Sequence, residues 1–376
     1  MAIRYFLGGL SPEGFHSFYP ELIDLKKIKR VYIIKSGPGS GKSSFMRRVI
    51  QRVEEAYAEN GGGPSGELGT EHIHCSSDPD SLDGVVFRTL GAAIIDGTPP
   101  HAVEPRYAGV VERYLPLCAF SDYTGLKQER ERLCALTDQN KVCYGRAYRI
   151  LHALRALRDD MFGLMVTDAA LQKIERRTAG IIARCIRPSG AGARRGSRHT
   201  GAQGTVSKRF LNAFSPAGTL CFYETALTVC RQIYELEDHF GLAHLMLQPI
   251  LRAAQNAGYD VTACYNPMSP GTELTHVLIP ALSLGFVSSN VDAVFPGEAH
   301  SRVRLDACLS PELARQRHLR LRFLRKTERA LQEEITAILQ QAKAIHDEME
   351  AIYNPCTDFE ALYAEADVIA REILAL

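Results

Sequence analysis

Residues Val31-Tyr32-Ile33-Ile34 form an apolar, β-branched run that passes directly into Lys35-Ser36-Gly37-Pro38-Gly39-Ser40-Gly41-Lys42-Ser43-Ser44. Behind this turn, Phe45, Met46, Val49, Ile50 and Val53 recur at helical spacing. A strand that enters a helix through three closely spaced glycines constrains the fold strongly. Backbone N–H groups can then face a common point with no side chains in the way. Gly37, Gly39 and Gly41 supply the room and the unusual dihedrals. The start of the helix adds its positive end, so the turn reads as an anion nest suited to phosphate. The expected nucleotide-binding set is Gly37, Pro38, Gly39, Ser40, Gly41, Lys42, Ser43 and Ser44. Lys42 would reach the β- and γ-phosphates of ATP, and the Ser43 hydroxyl would hold Mg²⁺. The strict pattern opens with glycine six residues before the lysine; Ser36 stands there, with Gly37 beside it. The plainer reading is a glycine-rich turn that merely contains Gly-Lys-Ser.

A second run, Ala92-Ala93-Ile94-Ile95-Asp96, is an apolar strand ending in an acid. After a phosphate loop, Asp96 is expected on the Mg²⁺, directly or through water. The plainer role is to cap the turn Asp96-Gly97-Thr98. No glutamate follows Asp96, so the usual place of a hydrolytic base is vacant. The segment Ile73-His74-Cys75-Ser76-Ser77-Asp78-Pro79-Asp80-Ser81-Leu82-Asp83-Gly84 leaves another expected strand. Ligands in open α/β sheets sit outside the carboxyl ends of strands. Asp78, Asp80 and Asp83 could there orient water, a metal or an acceptor hydroxyl, although Asp-Pro-Asp and Asp-Gly are also ordinary turn formers. His101 could contact phosphate or act as a base, or it could be a structural loop histidine. Cys75 is a thiol candidate only by location, and a buried strand-end cysteine is the simpler reading.

The chain has 376 residues, enough for about two domains. Its net charge is +1, with both signs mixed throughout, so whole-chain charge does not argue for nucleic acid. No apolar run approaches the roughly 20 residues needed to span a bilayer. Met1-Ala2-Ile3-Arg4-Tyr5-Phe6 lacks a signal-peptide core. Ten cysteines without Cys-x-x-Cys pairs read as reduced thiols, which points to the cytoplasm.

Two halves repeat one another. Arg4-Tyr5-Phe6-Leu7-Gly8-Gly9-Leu10-Ser11-Pro12-Glu13-Gly14 matches Lys208-Arg209-Phe210-Leu211-Asn212-Ala213-Phe214-Ser215-Pro216-Ala217-Gly218. Phe18-Tyr19 falls against Phe222-Tyr223 in the same register, and Val85–Leu90 against Val277–Leu282. Thr167-Asp168 and Thr357-Asp358 each read as the start of a capped helix. The expected division is 1–186, a linker at 187–206, and 207–376. The linker segment Arg187–Gly204 is rich in Arg and Gly and has almost nothing to bury. Ordering on nucleic acid is the other, weaker reading of it. Asn60–Gly66 reads as a surface loop. If Gly241 aligns with Gly41, Leu242 replaces Lys42 and Ala243 replaces Ser43, and the preceding turn Glu237-Asp238-His239-Phe240 carries two acids. Phosphate has no positive partner there. The matching strand ends in Val287-Ser288 rather than Ile95-Asp96, so the second copy reads as degenerate.

Leu133, Leu136, Asn140, Cys143, Ala147, Ile150, Leu154 and Leu157 alternate three- and four-residue steps. So do Leu331, Ile335, Ile338, Ala342, Ile345, Met349 and Ile352. Each is a seam of coiled-coil type following the sheet of its half. The seams could pair with one another, within or between chains, or pack on neighbouring helices. Arg146, Arg149, Arg155 and Arg158 point in several directions and form no single phosphate lid.

The chain resembles the uncharacterised bacterial tandem P-loop ATPases. The resemblance rests on Ser11-Pro12-Glu13-Gly14-Phe15, Gly37–Ser43, His74–Gly84, Ile95-Asp96-Gly97-Thr98-Pro99-Pro100-His101 and Pro105-Arg106-Tyr107-Ala108-Gly109. It implies an α/β chain of two P-loop nucleoside triphosphatase domains with ATP binding, and no particular substrate. Altered residues in the second loop put a two-site cycle in doubt. The expected function is Mg²⁺-dependent ATP hydrolysis at one N-terminal site, with Lys42 and Asp96 in the machinery and Asp78 and His101 as further candidates. A small-molecule or nucleotide kinase, using Asp78 or a neighbour as base, is one alternative. A nucleotide-gated interaction protein, signalling to a protein partner through the heptad helices, is another. Asn140-Lys141-Val142-Cys143 fails the guanine signature at its last position, and there is no signature of ABC type.

Overall fold

The structure is a computed structural model that describes residues 2–22, 28–60, 68–187 and 203–376. The linker expected at 187–206 falls largely on 188–202, and the Asn60–Gly66 loop largely on 61–67, outside the described residues. In the N-terminal half, β1 (Ile3–Tyr5) is followed by a hairpin of β2 (Gly8–Ser11) and β3 (Gly14–Ser17) and by the short α1 (Tyr19–Leu22). Then come β4 (Arg30–Ile34), α2 (Lys42–Glu59), β5 (Thr70–His74), β6 (Leu82–Phe87), β7 (Ala92–Asp96) and β8 (Glu112–Leu115). Three helices close the half: α3 (Tyr123–Gln128), α4 (Arg130–Met165) and α5 (Asp168–Cys185). The sheet order is β1-β5-β6-β7-β4-β8. Neighbours are parallel except at β5–β6 and β6–β7. Val31 to Ile34 and Ala92 to Ile95 are all buried, as the unbroken apolar runs of a sheet covered on both faces require.

The C-terminal half repeats every one of these elements. It comprises β9 (Val206–Arg209), β10 (Asn212–Ser215), β11 (Gly218–Cys221), α6 (Tyr223–Val229), β12 (Gln232–Glu237), α7 (Ala243–Asn256), β13 (Val261–Tyr265), β14 (Leu274–Ile279), β15 (Leu284–Ser289) and β16 (Ser301–Arg304). After these come α8 (Pro311–Gln316), α9 (His318–Tyr353) and α10 (Phe359–Leu374). Its sheet order, β9-β13-β14-β15-β12-β16, is the same. The halves meet at Phe6 and Phe210, matching positions whose backbones exchange two hydrogen bonds of 2.9 Å. A pseudo-twofold axis therefore passes through this pair.

The arms cross. α4 and α9, 36 residues each, pack along each other. Leu136, Cys143, Ala147, Leu151 and Leu154 share one core with Ile335, Ile338, Ala342, Ile345, Met349 and Ile352. The two seams thus pair within the chain. The first drifts by one position, so that Leu151 is fully buried where the heptad placed Ile150, and the buried Asn140 Oδ1 has no partner among the described residues. A 36-residue helix runs about 54 Å, enough to deliver the next helix to the far side of the molecule. α10 consequently packs on α2: Leu362, Ala366, Ile369 and Ile373 join Phe45, Met46 and Val49 in the N-terminal core. α5 packs reciprocally on α7 through Ala170, Ile174 and Ile181. The helical arm of each sequence half completes the core of the other. Thr167 Oγ1 caps α5 by accepting from Ala170 N–H, whereas in the second copy the cap is Asp358, which accepts from Ala361 N–H. Among the described residues no helix is long and apolar enough to cross a membrane.

Candidate functional site

The glycine loop joins the carboxyl end of β4 to the first turn of α2. Gly39 and Gly41 have φ of +66° and +77°, the left-handed region in which a side chain would be strained. Lys42 folds back over its own loop. Its Nζ donates to the Gly37 carbonyl at 2.8 Å and stands 3.6 Å from Asp96 Oδ2. Ser40 Oγ donates to the same carbonyl at 2.7 Å. Asp96 is buried at the end of β7, next to β4 in the sheet, and its Oδ1 accepts from Thr98 N–H and Thr98 Oγ1 at 2.9 and 2.6 Å. Ser43 Oγ accepts from Leu82 N–H at 3.0 Å. Among the described residues no side chain caps the N-terminus of α2, and Ser36 Oγ is buried without a partner. Helix N-terminal N–H groups without a cap attract an anion.

Asp83 and His101 form the second part of the site. β6 runs antiparallel to β7 with Gly84 opposite Ile95, so its first residues lie at the same edge as Asp96. Asp83 Oδ2 is 3.2 Å from His101 Nε2. The imidazole is buried, with the Phe15 ring edge-on at 5.1 Å and the Tyr19 ring tilted at 4.8 Å. Burial pulls the His101 pKa down, but Asp83, by charge and hydrogen bond, and Asp96 outweigh it and lift it above the usual histidine value. Nδ1 of His101 and the hydroxyl of Tyr19 are both buried with no partner among the described residues. A buried imidazole nitrogen left open among the described residues, beside a carboxylate-held Nε2, can exchange a hydrogen bond with a water or a ligand.

Of the three aspartates leaving β5, Asp83 is the one paired with His101. Asp78 is engaged in its own turn, accepting from Ser81 Oγ at 2.6 Å, and lies 3.9 Å from Lys343 Nζ. Asp80 is exposed. Desolvation raises the Cys75 thiol pKa well above its usual value, which disfavours a reactive thiolate. Arg146, Arg155 and Arg158 pair with Glu334, Glu273 and Glu328, away from the loop.

The loop is also covered by residues that lie some 300 positions later in the chain. A Cβ on Gly37 would meet the Tyr353 ring at 2.8 Å, on Gly39 the Glu350 Cα at 2.6 Å, and on Gly41 the Phe359 ring at 2.9 Å. At Gly39 and Gly41 glycine is required twice over, for the dihedral and for the close approach of α9 and α10; at Gly37, whose φ is not left-handed, only the close approach requires it. Nothing local marks Glu350, Tyr353 or Phe359 as site residues; only the crossing of the arms brings them there.

The second half handles the same position differently. Four residues separate Leu236 from Gly241, against six between Ile34 and Gly41. Gly241 keeps the left-handed conformation, φ +76°. The N–H groups around it are occupied: Asp238 Oδ1 accepts from Phe240 and Leu242, at 3.1 and 2.9 Å, and Oδ2 accepts from Ala243 at 2.7 Å. Asp238 is buried, and that burial holds its pKa above the ordinary carboxylate value against the pull of the three donors. Ser288 stands opposite Leu236, as Asp96 stands opposite Ile34. The chain's own carboxylate thus fills the nest that α2 leaves without a cap. No protein-family model matches the chain, and neither a curated protein nor a solved structure matches it.

Proposed function

We propose that the protein is an ATP-binding P-loop nucleoside triphosphatase with one working site, at Gly37–Ser44, and a second, degenerate P-loop copy. The carrying observation is the contrast between the two helix starts. α2 has no cap and has Lys42 and Asp96 beside it, while the matching turn is filled by Asp238. In this reading the loop amides hold the phosphates, and Lys42 exchanges the Gly37 carbonyl and Asp96 for phosphate oxygen. Ser43 and Asp96 are the oxygen donors suited to Mg²⁺, which when bound would neutralise charge on the phosphates. His101, held by Asp83, accepts the proton of the attacking water at Nδ1. Tyr353, Glu350 and Phe359 hold the loop from the other side.

The test is ATP binding by calorimetry together with phosphate release. Lys42→Ala should lose saturable binding. His101→Gln should bind ATP normally and release phosphate roughly 10²–10⁴-fold more slowly, the usual contribution of general acid–base catalysis. A Lys42→Ala protein that binds and hydrolyses ATP like the parent refutes the reading. Nucleotide consumption that depends on an added acceptor would replace it with a kinase.

A further inference from the structure

The first third of α9, with the end of α8 before it, is strongly basic. Positions 315–329 hold Arg315, Arg317, Arg320, Arg322, Arg325, Lys326 and Arg329 against a single acid, Glu328. Several of these side chains are accounted for. Arg317 donates to the Leu164 carbonyl, Arg320 pairs with Asp160, and Glu328 is taken by Arg158. Arg322, Arg325, Lys326 and Arg329 are spaced at one and two helical turns along one face, and they line a single cavity of about 960 Å³ together with His318. No carboxylate lies within ion-pair distance of these four among the described residues, although Arg325 lies over the Phe240 ring at 5.2 Å. The one acid of the cavity, Asp306, is engaged by His239 Nδ1 at 2.7 Å. The rest of the lining is largely apolar: Met165, Phe240, Leu309, Pro311, Ala314 and Leu321.

Four neighbouring cations without counter-charges repel one another, and a concave wall focuses their field on an anion. From Arg322 to Arg329 the wall spans about 10 Å at 1.5 Å per residue, the length of two or three linked phosphates rather than of a polymer backbone. The apolar floor with Phe240 suits a flat or apolar group attached to those phosphates. We propose that this cavity is a second binding site, on the C-terminal half, for a phosphorylated small molecule of nucleotide size. It does not use the glycine loop. Its components come from four places: α9, the end of α4 at Met165, the turn carrying Phe240, two residues after Asp238, and the segment from Asp306 into α8. α9 also reaches the glycine loop at its other end, through Glu350 and Tyr353. A ligand on the basic face therefore binds the same helix that covers the first site.

The test uses the full chain carrying Lys42→Ala, with ADP and pyrophosphate as calorimetric probes at low and high salt. The expected result is one remaining site that binds ADP more tightly than pyrophosphate and weakens as salt rises. Adding Arg322→Ala and Arg329→Ala, both at exposed positions, should weaken it at least about tenfold, the loss expected when charge-assisted contacts to phosphate go. Circular dichroism should remain unchanged. A Lys42→Ala protein that binds neither probe, or a triple variant that binds as the single one does, overturns the second site while leaving the glycine-loop reading intact. The converse failure is separable. If the parent with only the two arginines replaced binds no ADP at all, the glycine loop is not the nucleotide site and the basic cavity stands alone.

Discussion

Leu362→Ala tests the crossing of the arms and its bearing on the N-terminal site. Leu362 belongs to α10, at the far end of the chain, and is fully buried in the core built on α2. Its Cδ1 lies 3.2 Å from where a Cβ of Gly41 would be, so it supports the loop directly. Removing three carbons from such a site costs about 2–5 kcal/mol, more where the surroundings cannot collapse. The neighbours here are loop backbone and the fully buried Phe45 and Val49, so the cost should fall near the middle of that range, about 3.5 kcal/mol. For a cooperative unit of about 200 residues this lowers the melting temperature by roughly 10 °C. The chain has no tryptophan, so unfolding is followed by far-ultraviolet circular dichroism, with hydrogen exchange to locate the loss. Protection should fall in α2 and β4, some 300 positions away in the sequence from the substitution. A loss below about 1 kcal/mol, or one confined to the β12–β15 sheet, would refute the crossed packing.

Asp238→Ala leaves three N–H groups, two of them buried, without their carboxylate acceptor and should destabilise the protein by about 3 kcal/mol in urea titrations. Gly39→Ala must hold a side chain at φ +66° and drive it into the Glu350 backbone, so it should cost about 2 kcal/mol or more and weaken ATP binding, read by thermal unfolding and calorimetry. Burial lowers the pKa of His276 to about 3 and of His74 to about 4. Both are neutral in the fold but take up protons near pH 6.5 once unfolded. Their stabilising effect is therefore complete above about pH 6.5 and is lost as the pH falls from there towards 4. At pH 5 each should cost roughly 2 kcal/mol relative to pH 7.5. Urea midpoints at the two pH values measure the sum, and a flat profile would contradict the burial of these rings.

Much of the site was legible because its signals are local. The run Val31–Ile34, the glycine spacing and Gly-Lys-Ser demand a strand, an open turn and a helix start within fourteen residues. Asp96 follows from an apolar strand ending in an acid. The duplication was visible because matching pieces such as Arg4–Gly14 and Lys208–Gly218 carry the same backbone requirements, and the sheets share one strand order. Choosing Asp83 rather than Asp78 was beyond the sequence, since all three acids have turn chemistry and only the pairing of β6 with β7 sets Asp83 beside His101. The occupant of the second loop was equally hidden. Two acids there argue against phosphate, but that one carboxylate turns inward onto three N–H groups depends on the shortened turn.

By itself, then, the sequence determined the elements, their repetition and the strand–turn–helix backbone of the glycine loop, because each is written in residues a few positions apart. The tertiary structure alone decided which parts complete which core. The heptad seams state that two long helices need partners, and periodicity cannot say which. With α4 and α9 paired along their length, α5 and α10 are delivered to the opposite sheets, and Glu350, Tyr353 and Phe359 arrive at a loop from which they are separated by most of the chain. Burial of apolar surface is indifferent to distance along the sequence. That indifference is why the N-terminal site is finished by the C-terminal arm.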